Sequence, residues 1–381
     1  MYLKSGIEKE CCGCKACMDI CPQKCIVMKE NSEGFLYPNI DKSKCIQCNL
    51  CNKVCPNECM KSEPLRKAKE GYVGVHRNCE IGYSSSSGGA FSALCEAAFE
   101  ENYIVYGARW DENYRVCHDM ARTFEDSKMF RKSKYILSDM NHCYESIAKQ
   151  LKSDYSVLFS GTPCQCAAIK HYIRCKNIPT EKLVLVDIVC HGAPAQKIFD
   201  KYLDEIGRTK IKAFSFRYKA NKGRVNTRTA QLLYKNGTQK ILDVHNDAFM
   251  KGYYGRLFYR SSCAYCKFAR IERVSDITLG DAWHVENIYP EWNSEKGVSM
   301  ILINTDKGKS IFEKFKKYMT LKPIEIDWAE QSNMQLRKPT EMHPGRETFF
   351  YYYKKIGVKR AVNKAMHNSI WKKLYNRIKQ M

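Results

Sequence analysis

Eight of the 21 cysteines fall into two runs with a single spacing. Cys11, Cys14, Cys17 and Cys21 stand at C-x2-C-x2-C-x3-C ahead of Pro22, and Cys45, Cys48, Cys51 and Cys55 repeat the pattern ahead of Pro56. Every position recurs at the same offset of 34 residues, so the segment is an internal repeat as well as a motif. Three closely spaced thiolates wrap three irons of a cubane, and the fourth comes from the other repeat. One 4Fe–4S cluster is therefore expected on Cys11, Cys14, Cys17 and Cys55, and a second on Cys45, Cys48, Cys51 and Cys21. Structural zinc sites use separated C-x2-C pairs, not a run of four ending in proline. Counting back from Cys21 leaves Cys12 outside the set. Cys12, Cys25 and Cys59 read as small buried residues.

Four further cysteines lie in settings that suit a metal site: Cys164 in GTPCQ, Cys190 in VCHG, and Cys263 with Cys266 in SCAYCKF. A C-x2-C pair plus two separate cysteines completes a tetrathiolate set. A third iron–sulfur cluster is expected there, with zinc the alternative at the same ligands. Cys95, Cys117, Cys143, Cys166 and Cys175 read as buried thiols. Cys190 and His191 do not read as a nucleophile and its base, because neighbours on an extended strand face opposite ways.

Small and polar groups make up the other chemistry. SSSSGGAFSAL (Ser84–Leu94) runs serines and two glycines into a helical pattern, leaving backbone N–H groups for a phosphate. An ordinary turn is the alternative, since Ser and Gly favour turns. Gly161-Thr162-Pro163 and Gly192 follow predicted strands, the place where open α/β sheets bind ligands.

The elements that would position these residues alternate along the chain. Cys25–Met28 and Phe35–Tyr37 read as strands between the cysteine runs, and KSEPLRKAKEG (Lys61–Gly71) as a polar linker. Tyr155–Phe159, Leu183–Val189, Ser275–Leu279 and Val298–Asn304 read as strands. Cys166–Ile173, Ala195–Ile206 and Lys309–Met319 read as helices, and Asn236-Gly237 as a hairpin turn. This predicts a mixed α/β core. No G-x-G-x-x-G follows a strand, so a standard dinucleotide fold is not indicated. The division expected is a two-cluster domain at 1–62, a linker at 63–71, a core at 72–335 and a basic, helical tail at 336–381.

Composition narrows the class. A chain of 381 residues with 44% hydrophobic content can bury a sizeable core. No signal-peptide pattern opens it and no uncharged apolar run is long enough to span a bilayer, so the reading is cytoplasmic, with cysteines as metal ligands or buried thiols. The formal charge of +22 overstates the real one, because cluster-bound thiolates are anionic. Lys354, Lys355, Lys372, Lys373, Arg377 and Lys379 place much of that charge in the tail, which reads as a solvated helical face. No zinc-finger or RNA-binding signature accompanies it, so no nucleic-acid partner is expected.

From about Tyr72 to Phe350 the chain resembles the beta subunits of coenzyme F-420-reducing hydrogenase and the related formate dehydrogenase. The resemblance rests on SSSSGGAFSAL, SKYILS (Ser133–Ser138), LFSGTPCQ, DIVCHG, FRYK (Phe216–Lys219), SCAYCKFAR and SDITLGDAW (Ser275–Trp283), in that order. It implies FAD near Ser85, Ser86, Ser87, Gly88 and Gly89, Lys134, Gly161, Thr162 and Pro163, and Gly280 with Asp281. His191 and Gly192 join these cofactor-binding positions. It is consistent with a cubane on Cys164, Cys190, Cys263 and Cys266. EIGYSSSS lacks the basic residue expected near the serines, and GDAWH stands where GDFWG is usual, so Ala282 and His284 alter the wall beside the flavin.

The fold class implied is α+β, a small ferredoxin-like domain with two 4Fe–4S clusters fused to a mixed α/β flavin-binding core. The function implied is a flavin-dependent iron–sulfur oxidoreductase passing electrons between a deazaflavin hydride carrier, coenzyme F-420 or its like, and one-electron clusters. A redox partner protein or substrate enzyme would take them onward. The alternatives are a ferredoxin-dependent reductase of another organic substrate, as the similarity to plant hydroxymethyl-chlorophyll reductase implies, and a non-catalytic electron-transfer subunit. The catalytic residues, the substrate and the oligomeric state stay open.

Overall fold

The cysteine repeat is present in the backbone as well as in the sequence. In the computed structural model, which describes residues 1–60, 66–140, 142–219, 229–293 and 297–367, four residues between the cysteines are left-handed. Gly13 (φ 79°) and Gln47 (φ 53°) lie between the first and second cysteines of their runs, and Lys15 (φ 64°) and Asn49 (φ 60°) between the second and third. Side chains rarely adopt positive φ, so the matched pairs mark turns that bring successive thiols inward. Each run then enters a short helix, Ala16–Asp19 or Leu50–Lys53. Between them β1 (Ile26–Glu30) and β2 (Leu36–Ile40) form an antiparallel pair, with Ile26 opposite Ile40.

The core is an eight-stranded mixed sheet. Its strands are β3 (Glu70–His76), β4 (Ile104–Trp110), β5 (Val116–Ala121), β6 (Val157–Gly161) and β7 (Leu183–Ile188), and a separate three-stranded sheet follows, β8 (Ile211–Phe216), β9 (Ala230–Tyr234) and β10 (Gln239–Leu242). The large sheet resumes with β11 (Ile277–Asp281), β12 (Ser299–Ile303) and β13 (Met319–Ile324), in the order β13-β3-β12-β11-β7-β6-β4-β5. The centre, β4-β6-β7-β11, is parallel. It reads as continuous apolar runs because both faces are covered; five of the six residues of β7 are buried. Helix Pro163–Cys175 crosses from β6 to β7, so Gly161–Cys164 lies at a strand's carboxyl end. The predicted hairpin is formed by β9 and β10 around Asn236 and Gly237, whose φ of 85° only glycine adopts freely.

Three expectations shift. The helix expected through Met319 ends at Phe315, because Met319 opens β13 and pairs with His76 of β3. Glu70 and Gly71, expected in the linker, already belong to β3; Lys61–Leu65 lie outside the described residues. The tail carries the expected helix at Arg346–Ile356, and residues 358–367 are also helical. Its apolar side is not solvated. Phe349, Tyr353, Val358 and Val362 are fully buried in one cluster with Phe35 and Tyr37 of the N-terminal segment. Lys372, Lys373, Arg377 and Lys379 lie outside the described residues. No helix among the described residues is long and apolar enough to cross a membrane.

A buried ion pair joins the sheet to the Cys266 turn. Asp187 of β7 is wholly buried and takes both Arg273 Nη2 (2.9 Å) and Nε (3.2 Å), while Ser275 Oγ donates at 2.8 Å. Arg273 Nη1 donates to the carbonyls of Phe268 and Arg270. Such a pair is satisfied as a unit, and removing one partner strands a buried charge. Arg273→Met should therefore lower stability by about 3–5 kcal/mol in anaerobic urea denaturation. A variant as stable as the parent would contradict the pairing.

Candidate functional site

The expected ligands gather into three groups of thiols. Cys11, Cys14, Cys17 and Cys55 form an inner set against the core, with Cys14, Ala16, Ile20 and Val54 packed on the helices Cys143–Lys152 and Pro163–Cys175. Burial, then the neighbouring sulfurs of Cys11, Cys55 and Cys51, push the Cys17 thiol well up. Burial likewise pushes Cys55 up to about 11, with Cys11 adding to the effect. A hydrogen bond from Cys12 works to lower Cys14, but burial and the sulfurs of Cys17 and Cys55 outweigh it and raise the thiol. Tyr144 donates its hydroxyl to Cys14 O at 2.8 Å, holding the loop.

The outer set, Cys21, Cys45, Cys48 and Cys51, lines a cavity of about 220 Å³ whose Cys48 is exposed. Cys25 belongs to the same cavity, its Sγ 3.4 Å from Cys21 Sγ. Burial, then Cys21, pushes the Cys25 thiol up to about 11. Burial also opposes ionisation of Cys21, yet the backbone N–H groups of Cys25, Gln23 and Lys24 help hold its thiol below the usual range.

Cys164, Cys190, Cys263 and Cys266 all line a larger cavity of about 450 Å³. Cys164 sits in the first turn of helix Pro163–Cys175, where Thr162 and Gln165 form a capping box that fixes the turn. Cys190 lies just beyond β7, and Cys263 belongs to the 3-10 turn Ser261–Tyr265. Burial, then Cys164, pushes Cys190 up to about 12 and Cys266 up to about 11. Thiols that raise one another this way become thiolates only when a cation lies between them. Four thiols around one cavity are the donor type and number of an iron–sulfur cubane rather than of a single ion. Among the described residues no three His, Cys, Asp or Glu side chains converge as a single-ion site.

Cys12, a bystander by motif spacing, has surroundings more specific than that. Its sulfur is an electrostatic neighbour of both Cys14 and Cys164, and it lines the larger cavity. It thus touches the inner set and the core set together. The Cys11-Cys12 doublet is the available signal, and motif spacing alone has no use for it.

The expected flavin positions are spread along the edge of the sheet at which its parallel strands end. Ser86 Oγ accepts from Ser133 N (2.7 Å) and lies 3.1 Å from Ser133 Oγ, joining the serine run to SKYILS. Ser85 Oγ donates to Ile81 O and Ser87 Oγ to Val298 O. A Cβ on Gly88 would stand 2.2 Å from Gly74 O, so the chain can pass there only as glycine. Gly89 (φ 92°) leads helix Ala90–Glu100. Lys134 Nζ donates to the carbonyls of Met129, Phe130, Arg131 and Lys132 at 2.8–3.2 Å, which commits it to its own turn. Thr162, Pro163, His191 and Gly192 line the larger cavity, and burial lowers the His191 pKa. Gly280 and Asp281 end β11, where Asp281 accepts from Arg217 Nη1 at 2.6 Å.

Arg217, Lys219 and Arg260 are site residues that the sequence alone does not single out, although FRYK contains the first two. Arg217 is buried beside Trp283, and its Nε and Nη2 have no partner among the described residues. Buried donors without acceptors cost free energy, so this corner fits a ligand rich in acceptors, as a flavin is. Lys219 Nζ donates to Gly82 O (2.7 Å) and Ser87 O (2.6 Å), which ties the serine run to the same corner.

Residues 154–327 match the family described as the C terminus of the coenzyme F420 hydrogenase/dehydrogenase beta subunit, and residues 10–59 match the "4Fe-4S dicluster domain". No curated protein matches the chain. Thirteen chains of solved structures do. One belongs to the xenon-derivatised F420-reducing [NiFe] hydrogenase complex from Methanosarcina barkeri. It is 19% identical, with a TM-score of 0.48, over 80% of this chain and 93% of that one.

Lys134 supplies a direct test of the geometry. Lys134→Met removes the donor shared by four carbonyls and should cost about 1.5–3 kcal/mol, the range for hydrogen bonds to a charged group. Denaturant midpoints compared with Lys134→Arg would measure it, and an unchanged midpoint in the Met variant would refute the assignment.

Proposed function

We propose that the chain, which matches the coenzyme F420 hydrogenase/dehydrogenase beta-subunit family over residues 154–327 and the 4Fe-4S dicluster domain over residues 10–59, is a flavin-dependent relay between a deazaflavin-type carrier and three 4Fe–4S clusters. At the coarser level it is an iron–sulfur electron-transfer oxidoreductase. The observation that carries the finer reading is an unbroken series of neighbouring sulfurs. Exposed Cys48 neighbours Cys51, Cys51 neighbours Cys17, and Cys14, Cys12 and Cys164 continue into the core.

In this reading Cys11, Cys14, Cys17 and Cys55 hold one cluster, Cys45, Cys48, Cys51 and Cys21 the second, and Cys164, Cys190, Cys263 and Cys266 the third. FAD, when bound, exchanges electrons in pairs with a small molecule and singly with a cluster. The residues proposed to bind it are Ser85–Gly89, Gly161–Pro163, His191, Gly192, Gly280 and Asp281. Arg217 offers two buried donors without partners among the described residues and is itself held by Asp281. Lys134 is proposed as a support of that wall through its turn. Ala282 is buried and His284 left-handed, so both shape the wall more than they offer chemistry. The basic surface favours an acidic carrier such as coenzyme F-420, and the exposed outer set is the end suited to a redox partner or a substrate enzyme.

Anaerobic purification with cofactor extraction tests this. Iron and acid-labile sulfide should each reach about twelve per chain, at four irons per cubane, and denaturation should release FAD. Cys263→Ser should remove about a third of the iron and leave the other two cluster signals intact. About eight irons in the parent chain would disprove the third cluster. Reduction by ferredoxin but not by reduced deazaflavin would favour a reductase of another organic substrate. Clusters without flavin would leave an electron-transfer role alone.

A further inference from the structure

Arg260 is among the largest fully buried side chains of the described residues, only 1% exposed. A cation so far from water must be met by hydrogen-bond acceptors, aromatic faces or an opposite charge. Its guanidinium lies 4.1 Å from the centre of the Tyr37 ring and 5.5 Å from that of Phe35. Nε donates to Cys11 O at 2.6 Å, and Nη2 donates to Leu36 O at 3.0 Å and to Cys11 Sγ at 3.3 Å. Nη1 is buried and has no partner among the described residues. It faces Gly13, where a Cβ would stand 3.0 Å from it. No carboxylate is among the hydrogen-bond partners of this guanidinium in the described residues.

The positive charge is therefore set against the loop that carries Cys11 and Cys14, with one donor on a sulfur and another free beside the turn. The backbone of the same residue reaches the core set. Arg260 O accepts from Cys263 N at 2.9 Å, and Arg260 N donates to Ala193 O at 3.0 Å. The outer set has a different environment, with backbone N–H groups around Cys21.

We propose that Arg260 raises the reduction potential of the cluster held by the inner set, through its N–H···S bond to Cys11 and its fixed charge at the cluster's edge. This rests on the reading that Cys11, Cys14, Cys17 and Cys55 hold a 4Fe–4S cluster. One-electron reduction adds one negative charge to the cluster and breaks no bond; the electron comes from the neighbouring cluster or, in the test, from dithionite. Arginine keeps its proton throughout. Hydrogen bonds to the sulfurs and nearby positive charge favour the more negative state. Arg260 is thus a tuning residue at the junction of the two sets.

Two measurements on the intact, anaerobically purified chain test this. In protein labelled with 15N-arginine and reduced by dithionite, pulsed EPR should detect a 15N coupling to one cluster. Absence of that coupling would overturn the proposal without any variant. Potentiometric EPR titration of Arg260→Met should move the midpoint of one cluster to more negative potential, with a smaller shift in Arg260→Lys and the remaining midpoints in place. Full iron content with every midpoint unmoved would also overturn it, and if either variant loses iron, the labelled parent decides. Cys11→Ser separates the two levels: if it removes no cluster signal, the ligand reading itself fails, whereas a lost signal with unmoved Arg260 midpoints refutes the arginine alone.

Discussion

A thiol buried beside other thiols resists ionisation, and the effect compounds with each sulfur added. That constraint governs this molecule. Cys17, Cys55, Cys190 and Cys266 are all raised by burial and by neighbouring sulfurs. The loops that hold them are nevertheless ordered in detail, with matched left-handed residues, a capping box at Thr162 and a tyrosine bonded to Cys14. Packing that brings these sulfurs together as thiolates is stable only with compensation elsewhere. The aromatic cluster around Phe199 and Phe249 supplies part of it, and on the proposed reading the irons of the clusters would supply the rest.

What was legible in the sequence follows from how local each signal is. The cysteine repeat depends on spacing within a dozen residues, and the β1–β2 pair and the Asn236-Gly237 hairpin depend on neighbouring turns. These emerged as expected. The helical pattern of Lys309–Met319 overruns its helix because Met319 continues the apolar spacing, and its strand identity comes only from pairing with β3, far earlier in the chain. The tail reads as solvated because its lysines are conspicuous. Phe349, Tyr353 and Val358, on the other side, bury against segments no local pattern could link to them.

The site divides the same way. Candidate ligands can be picked by residue type, but their neighbours cannot. Arg260 precedes Cys263 by three residues and serves Cys11 instead, across most of the chain. Cys12 looks surplus because a motif counts positions along the sequence, while its contact with Cys164 is made through the fold. Lys134, which the resemblance sets among the flavin positions, is occupied by four carbonyls. For Arg260 and Cys12 a long-range partner decides what the side chain does; for Lys134 the path of its own turn decides it.

The clasp between Glu33 and Arg346 carries a mechanical consequence. Both guanidinium ends meet both carboxylate oxygens, at 2.5 and 2.6 Å, and the arginine stacks over Phe350. The N-terminal module is thereby fastened from the far end of the chain, in addition to its junction with the core. On the proposed reading, current through such a body would run like current through a soldered board, with no arm that must swing between contacts. Internal transfer should then be indifferent to solvent viscosity, leaving only the encounter with outside molecules to feel the medium.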